Sequence, residues 1–274
     1  MNILEKIIAQ KRIELRRQKE AVTIDILEEI IRYASDKKSF KQALLQSSTG
    51  IIAEFKRRSP SKDWIFKEAG VDEVVPAYEN AGASAISILT DEMFFGGSPA
   101  DLKRASQLVH LPILRKDFVI DEYQLYQAKA LGASVVLLIA AALTEKQCRQ
   151  LAVTAHNIDL EVLLEIHTEA ELKYITPMVD VVGINNRNLS TFVTDIQISL
   201  DLGEKIPADF VKISESGISS VESIHELRQH GFQGFLMGEN FMKTHQPGEA
   251  LKQFLEDFET HRHIGHIGAH IENN

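Results

Sequence analysis

The sequence has one cysteine, one tryptophan and no long apolar run. Each scarcity excludes something. Cys148 alone closes no intramolecular disulfide and builds no cysteine metal site. The longest stretch free of Asp, Glu, Lys and Arg is 130–144, 15 residues, whereas a spanning helix needs ~20. At the N-terminus, MNILEKII brings in Glu5 and Lys6 too early for the apolar region of a secretory leader, and its acids argue against a transit peptide. Positive charge is also short: 30 Lys plus Arg stand against 39 Asp plus Glu, a net charge of −9. A field of that sign does not hold nucleic acid. An anionic ligand must then be met by local lysines, arginines and helix N-termini. The expectation is a cytoplasmic protein with no nucleic-acid and no membrane partner.

What is present is ordinary for a folded chain: 44% hydrophobic, 25% charged, 15 Gly and 7 Pro in 274 residues. That length fits two domains or one α/β barrel. After residue 48, short apolar runs alternate with amphipathic stretches. The runs are IIAEF (51–55), AISIL (85–89), PILRK (112–116), VVLLI (135–139), VLLEI (162–166), VVGIN (181–185), VKISE (211–215) and GFLMG (234–238). Continuous Ile, Val and Leu over about five residues reads as strands buried on both faces. Between them, Val71, Val74, Val75 and Tyr78 carry helical spacing, and Ser98-Pro99 opens a helix with a cap and an N1 proline. Thr144-x-x-Gln147, Thr168-x-x-Glu171 and Ser219-x-x-Glu222 read as capping boxes. AGASAISIL (81–89), LGASVVLLI (131–139) and HGFQGFLMG (230–238) each set a glycine at a helix end before a strand.

Eight strands alternating with helices predict a (β/α)8 barrel, the TIM-barrel fold, over residues 49–260. A doubly wound sheet is the alternative, but it favours a Gly-rich turn after its first strand, where this chain reads EFKRRSPS. Residues 1–48 form a helical extension, either a cap on one end of the barrel or a lid that touches ligand. Residues 261–274 hold His261, His263, His266 and His270 and read as a flexible, solvated tail.

Barrel active sites lie at the C-terminal ends of the strands. Those ends carry Glu54 and Lys56, Lys116, Glu165, Asn185 with Arg187, and Glu215, Ser216 and Gly217. Residues two apart on a strand share a face, so Glu54 and Lys56 can point together into the mouth. Glu165 sits inside an apolar run, and a buried carboxylate must be paired or have a raised pKa. Gly217 and Gly238, in the last two units, stand where barrels often hold phosphate on backbone N–H groups.

EFKRRSPSK (54–62), TDEMFFGGS (90–98), ILRKDF (113–118), LLEIH (163–167), GINNRNL (183–189), SESGI (214–218) and LMGENFM (236–242) together resemble the indole-3-glycerol phosphate synthase family. The resemblance runs in order from about residue 50 to 243 and includes the basic N-terminal helix. Two positions depart from the pattern: Asp63 stands where many members have glycine, and Glu239 where others have serine.

The resemblance implies a step of tryptophan synthesis with no metal and no cofactor. An aminodeoxyribulose phosphate bearing an o-carboxyphenyl group closes to an indole, losing CO₂ and water. It implies Lys116 as the acid that protonates the ribulose carbonyl and Glu165 as the base of the dehydration. It also places Lys56, Glu54 and Asn185 in the catalytic set: Lys56, with Glu54 beside it, meets the substrate's anionic groups and supports the electrostatics of Lys116, while Asn185 and Arg187 orient the hydroxyl and carboxylate. Ser59 and Glu215 join the substrate contacts. Ser216, Gly217, Gly238 and the Glu239 backbone hold phosphate. Phe94, Phe95, Phe118 and Leu236 are candidates for an aromatic slot, with core packing the equal alternative. The partner implied is a small anionic substrate, and the chain is expected as a monomer or weak homo-oligomer. The rivals are a Schiff-base aldolase using Lys116, the neighbouring isomerase of the pathway, and a barrel kept only for binding.

Overall fold

The computed structural model describes residues 2–34, 38–188 and 191–271, with side chains through His261. Unbroken apolar runs form strands because both of their faces are covered, one by helices and one by the barrel interior. The strands are β1 (Ile51–Phe55), β2 (Arg58–Ser59), β3 (Asp63–Trp64), β4 (Ala85–Leu89), β5 (Ile113–Lys116), β6 (Val135–Ile139), β7 (Glu161–Ile166), β8 (Val181–Asn185), β9 (Val211–Glu215) and β10 (Gly234–Met237). All except β2 and β3 close into one parallel barrel, β1-β10-β9-β8-β7-β6-β5-β4. β1 pairs with both β10 and β4, with Ile52 opposite Leu236 on one side and Ala85 on the other, which excludes the open doubly wound sheet.

The helices are α1 (Ile3–Ala21), α2 (Ile24–Ile31), α3 (Phe40–Gln46), α4 (Val71–Ala81), α5 (Glu92–Phe95), α6 (Pro99–Leu108), α7 (Tyr123–Ala130), α8 (Glu145–Asn157), α9 (Gln197–Gly203), α10 (Val221–Gln229), α11 (Glu239–Met242) and α12 (Pro247–Ile271). Ser98 caps α6 ahead of its N1 proline, and Thr144 with Gln147 forms the capping box of α8. Glu171 reaches back to the N–H groups of His167 and Thr168 at the start of a 3-10 turn, Glu169–Tyr174. The expected Ser219 cap is displaced by one residue. α10 begins at Val221, so Ser220 accepts from the Ser223 N–H, and Ser219 is left free to line the pocket. Gly82, Gly132 and Gly231 have φ of 107°, 94° and 80°, the left-handed geometry that turns each preceding helix into the next strand.

The extension engages both ends of the barrel. Phe40 and Leu44 on α3 are buried against interior residues near the strand starts, including Ala85, Val135, Val181 and Val211. Burying side chains of this size contributes about 1.5–3 kcal/mol each. Glu161 fixes α3 there, accepting from Ser39 Oγ at 2.6 Å and the Lys41 N–H at 2.9 Å. At the opposite end, α1 lies over the strand C-termini. Its Lys11 is 4% exposed and reaches Asp91 at 2.9 Å and Asp117 at 3.0 Å. The backbone of α12 continues to Ile271, and His261 pairs with Glu222 at 3.3 Å. The side chains of the expected tail beyond His261 lie outside the described residues. Among the described residues no helix is long and apolar enough to cross a membrane.

Candidate active site

The mouth of the barrel opens on a cavity of about 630 Å³. Strand closure brings four ionisable side chains from four strands to its floor, with Lys116 of β5 at the centre. Its Nζ lies 3.0 Å from Glu215 of β9, 3.8 Å from Glu54 of β1 and 3.9 Å from Glu165 of β7. Lys56 follows β1 and meets Glu54 at 2.9 Å, as two residues sharing a strand face should.

Burial and charge compete at each of these groups. Burial pushes the Glu54 carboxyl up, but Lys56 and Lys116 outweigh it and hold it below the usual carboxylate range. Burial lowers Lys116, but Glu215, Glu54 and Glu165 together raise it, so it stays an ammonium. For Glu165 burial wins over the attraction of Lys116, and its pKa is raised. Glu215 is pushed up to about 7, by burial first and then by the charges of Glu165 and Glu54 against Lys116. The floor therefore offers a proton donor, Lys116, beside one carboxyl, Glu215, pushed up to about 7, and a second, Glu165, raised above the usual carboxylate range.

Around the floor, Asn185 accepts from the Arg187 N–H at 3.0 Å, and Arg187 donates to Ser61 Oγ at 2.9 Å. Ser59, on the β2–β3 ribbon, is buried and lines the cavity. That ribbon explains the departure at 63. Asp63 has φ of 55°, a geometry asparagine and aspartate tolerate and glycine prefers, and its carboxylate accepts from Arg58 Nε at 2.8 Å. Ser216 and Gly217 lie consecutively at φ of 69° and 74° where β9 ends. A non-glycine residue there is strained, of order 1–3 kcal/mol, and something must hold it. Asn186 does so, donating to the Ser216 carbonyl at 3.0 Å and to Ser214 Oγ at 2.9 Å while fully buried. Gly238 and Glu239, after β10, line the cavity beside them.

The structure brings together Glu54, Lys56, Ser59, Lys116, Phe118, Glu165, Asn185, Arg187, Ser216, Gly217, Leu236, Gly238 and Glu239 as lining residues. Two site expectations change. Phe95 lines the cavity and Phe94 does not, because consecutive helical residues diverge by about 100°. Phe95 and Phe118 have ring centroids 5.9 Å apart, which leaves them as the aromatic pair at the mouth. Glu215 is 0% exposed and lies behind Lys116 rather than on the cavity wall. Sequence reasoning passes over Ile3, Leu4 and Ile7 of α1, Lys62, Ser219 and Asn240, all of which line the cavity. The i, i+1, i+4 spacing of Ile3, Leu4 and Ile7 signals a buried helix face but not what it faces. Lys62 and Arg187 stand 3.7 Å and 3.8 Å from the Glu239 carboxylate. Among the described residues no cluster of His, Cys, Asp and Glu is arranged to hold a metal ion.

Comparison with known proteins adds a family to this geometry. The family model described as indole-3-glycerol phosphate synthase matches residues 4–254. A Bacteroides thetaiotaomicron protein of that name is 58% identical over 255 residues, covering 93% of this chain and 98% of its own. A second, from Acidithiobacillus ferrooxidans, is 40% identical and covers 93% of this chain and 99% of its own. Among solved structures, a chain of the Pyrococcus furiosus tryptophan synthase complex superimposes with TM-score 0.57 at 16% identity, over 77% of this chain and 98% of that one. At that identity the likeness shows a shared barrel fold.

Proposed function

The chain belongs to the indole-3-glycerol phosphate synthase family, and from that premise we propose how its pocket closes a 1-(2-carboxyphenylamino)-1-deoxyribulose 5-phosphate to indole-3-glycerol phosphate. The observation that carries the residue roles is the Lys116 ammonium held by three carboxyls on the barrel floor. A raised lysine is protonated, so it serves as an acid; a Schiff-base lysine must be neutral and is activated by a lowered pKa. Cys148 is buried within α8 and absent from the cavity wall, which removes the support for a cysteine-based isomerase.

The substrate's aryl ring enters the slot of Phe95, Phe118 and Leu236, and its phosphate takes the backbone of Gly217, Gly238 and Glu239 with the Ser216 hydroxyl. Lys116 Nζ donates its proton to the ketone oxygen as the ring carbon attacks the carbonyl carbon. CO₂ then leaves and the ring regains its aromaticity. Lys56, beside Glu54, meets the carboxylate and hydroxyl groups that change charge in these steps. Asn185 orients the hydroxyl, and Arg187 provides a second cation at the mouth. Glu165 takes the C–H proton in the dehydration. Groups of this kind contribute typically ~10²–10⁴ each in rate. We place the enzyme in the cytoplasm, as a monomer or weak homo-oligomer, since its substrate and product are phosphorylated metabolites.

Indole fluorescence tests the activity, and single-turnover kinetics test the roles. Lys116→Met abolishes ring closure, whereas Glu165→Gln lets a ring-closed intermediate accumulate. Near-normal turnover by Lys116→Met would transfer the acid role to Lys56. Covalent trapping of substrate by borohydride would instead support the aldolase.

A further inference from the structure

The Glu165 carboxylate has a neighbour that these steps leave unused. His167 stands two residues further along the chain, and its Nε2 lies 3.3 Å from Glu165 Oε1. Its Nδ1 lies 3.9 Å from Glu171 Oε2. The imidazole is 9% exposed, and neither ring nitrogen has a well-formed hydrogen bond among the described residues. Leaving such a group unpaired is costly, so its retention between two carboxyls needs a reason. Glu165 is 5% and Glu171 15% exposed, so the three side chains run from the pocket floor toward solvent.

The reaction supplies the reason, because it consumes one proton per turnover. A C–C bond forms to the ketone carbon, and the carboxylate leaves as CO₂, returning its bonding pair to the ring. The ketone oxygen takes two protons and departs as water with its bonding pair. The C–H bond beside nitrogen breaks, gives back one proton and leaves its pair in the new C=C bond. Two protons in and one out leave one to be drawn from solvent to the buried floor of the site.

We propose that His167 relays this proton from Glu171 to Glu165, and thence to Lys116, with a small side-chain rotation closing the 3.9 Å gap between Nδ1 and Glu171. The ring accepts a proton on Nδ1 and releases the one on Nε2 to Glu165 Oε1; reversal of the tautomer resets it. His167 touches no substrate and acts through Glu165, so the inference rests on the roles proposed above. Burial holds the imidazole pKa below its ordinary range, against Glu171 and Glu215 and together with Lys116, which keeps the ring in the neutral form a relay requires.

The test compares His167→Gln, which keeps bulk and polarity, with His167→Ala, which opens space for added imidazole. The expected result is a fall in kcat of roughly ten-fold with little change in KM, at or below the lower end of proton-transfer contributions. Imidazole should restore kcat in His167→Ala and not in His167→Gln, and the solvent deuterium isotope effect on kcat should rise in both. An unchanged kcat in His167→Gln overturns the relay. So does a loss with neither imidazole rescue nor a larger isotope effect, which marks a structural role. If His167→Ala does not fold, the isotope effect in His167→Gln decides. Failure of the unaltered enzyme to form indole-3-glycerol phosphate would instead overturn the activity, before any variant is compared.

Discussion

A β-carbon on Gly183 would lie 2.2 Å from Oε1 of Glu215, so the bare backbone of β8 is what lets that carboxylate stand 3.0 Å from Lys116. Glu215 is fully buried, so a side chain pressing on its Oε1 shifts the carboxylate relative to the lysine. Gly183→Ala should therefore fold, because its backbone is ordinary strand, yet lose the placement of the acid. Displacements near 1 Å can cost ~10²-fold in rate, so kcat should fall far more than KM rises. Steady-state kinetics check this, and a normal kcat would show that Glu215 does not position Lys116.

Gly238 couples two parts of the site. A β-carbon there would meet Glu54 Cβ and Oε1 at 2.9 Å, while its backbone faces the proposed phosphate position. Gly238→Ala should accordingly raise KM and lower kcat together. An effect on KM alone would mean that Glu54 has room to move or contributes little to the chemistry.

The pH profile follows from the directions of the shifts. Glu165 must be ionised to act as base, and its raised pKa places the acidic limb of kcat/KM above the ordinary glutamate value of ~4.3. Lys116 must be protonated, and its raised pKa keeps any lysine limb above the ordinary ~10.4. A basic limb near pH 8 that moves in Lys116→Arg would contradict this assignment. Stability has the opposite slope. Glu215 binds its proton more tightly folded, at about 7, than unfolded, near ~4.3, so its contribution is complete below the unfolded value and is lost as pH rises through 7. The melting temperature of the ligand-free protein should fall between pH 5 and 8, and less so in Glu215→Gln.

Lys11 ties α1 to the mouth through Asp91 and Asp117, with Glu14 of the same helix beside it, all within 3.0 Å. Lys11→Met would leave Asp91 buried without a cation, while Asp117 keeps Arg115 at 3.1 Å, a loss of about 3–5 kcal/mol. Burial shields the cluster, so added salt should neither mimic nor relieve the loss. Urea unfolding at two ionic strengths measures it. A cost below about 1 kcal/mol would place the contact among ordinary surface pairs. Because Ile3, Leu4 and Ile7 of the same helix line the cavity, KM should rise as well.

Much of this molecule is written locally. Runs such as VVLLI need cover on both faces, the spacing of Val71, Val74, Val75 and Tyr78 needs a helix, and Gly82, Gly132 and Gly231 need left-handed turns. Neighbours in the chain settle all of these, which is why the eight strands, the helix-to-strand turns and the polar strand ends are readable in order. Reading falters where the outcome depends on one residue of phase. Phe94 and Phe95, like Ser219 and Ser220, differ only in where a helix begins or how it is rotated, and packing chooses between them.

What the sequence by itself determined is the inventory: an acidic α/β chain with lysines and glutamates at its strand ends. Only closure of the barrel decided which of them meet. Lys116 and Glu215 are 99 residues apart in the chain and 3.0 Å apart in space, and their protonation depends on that distance and on the water excluded around them. The same closure stands Gly183 against Glu215 and brings Asp91 and Asp117 together beneath Lys11 of α1. Electrostatic energy varies with separation and surroundings, and neither exists until the last strand has paired with the first.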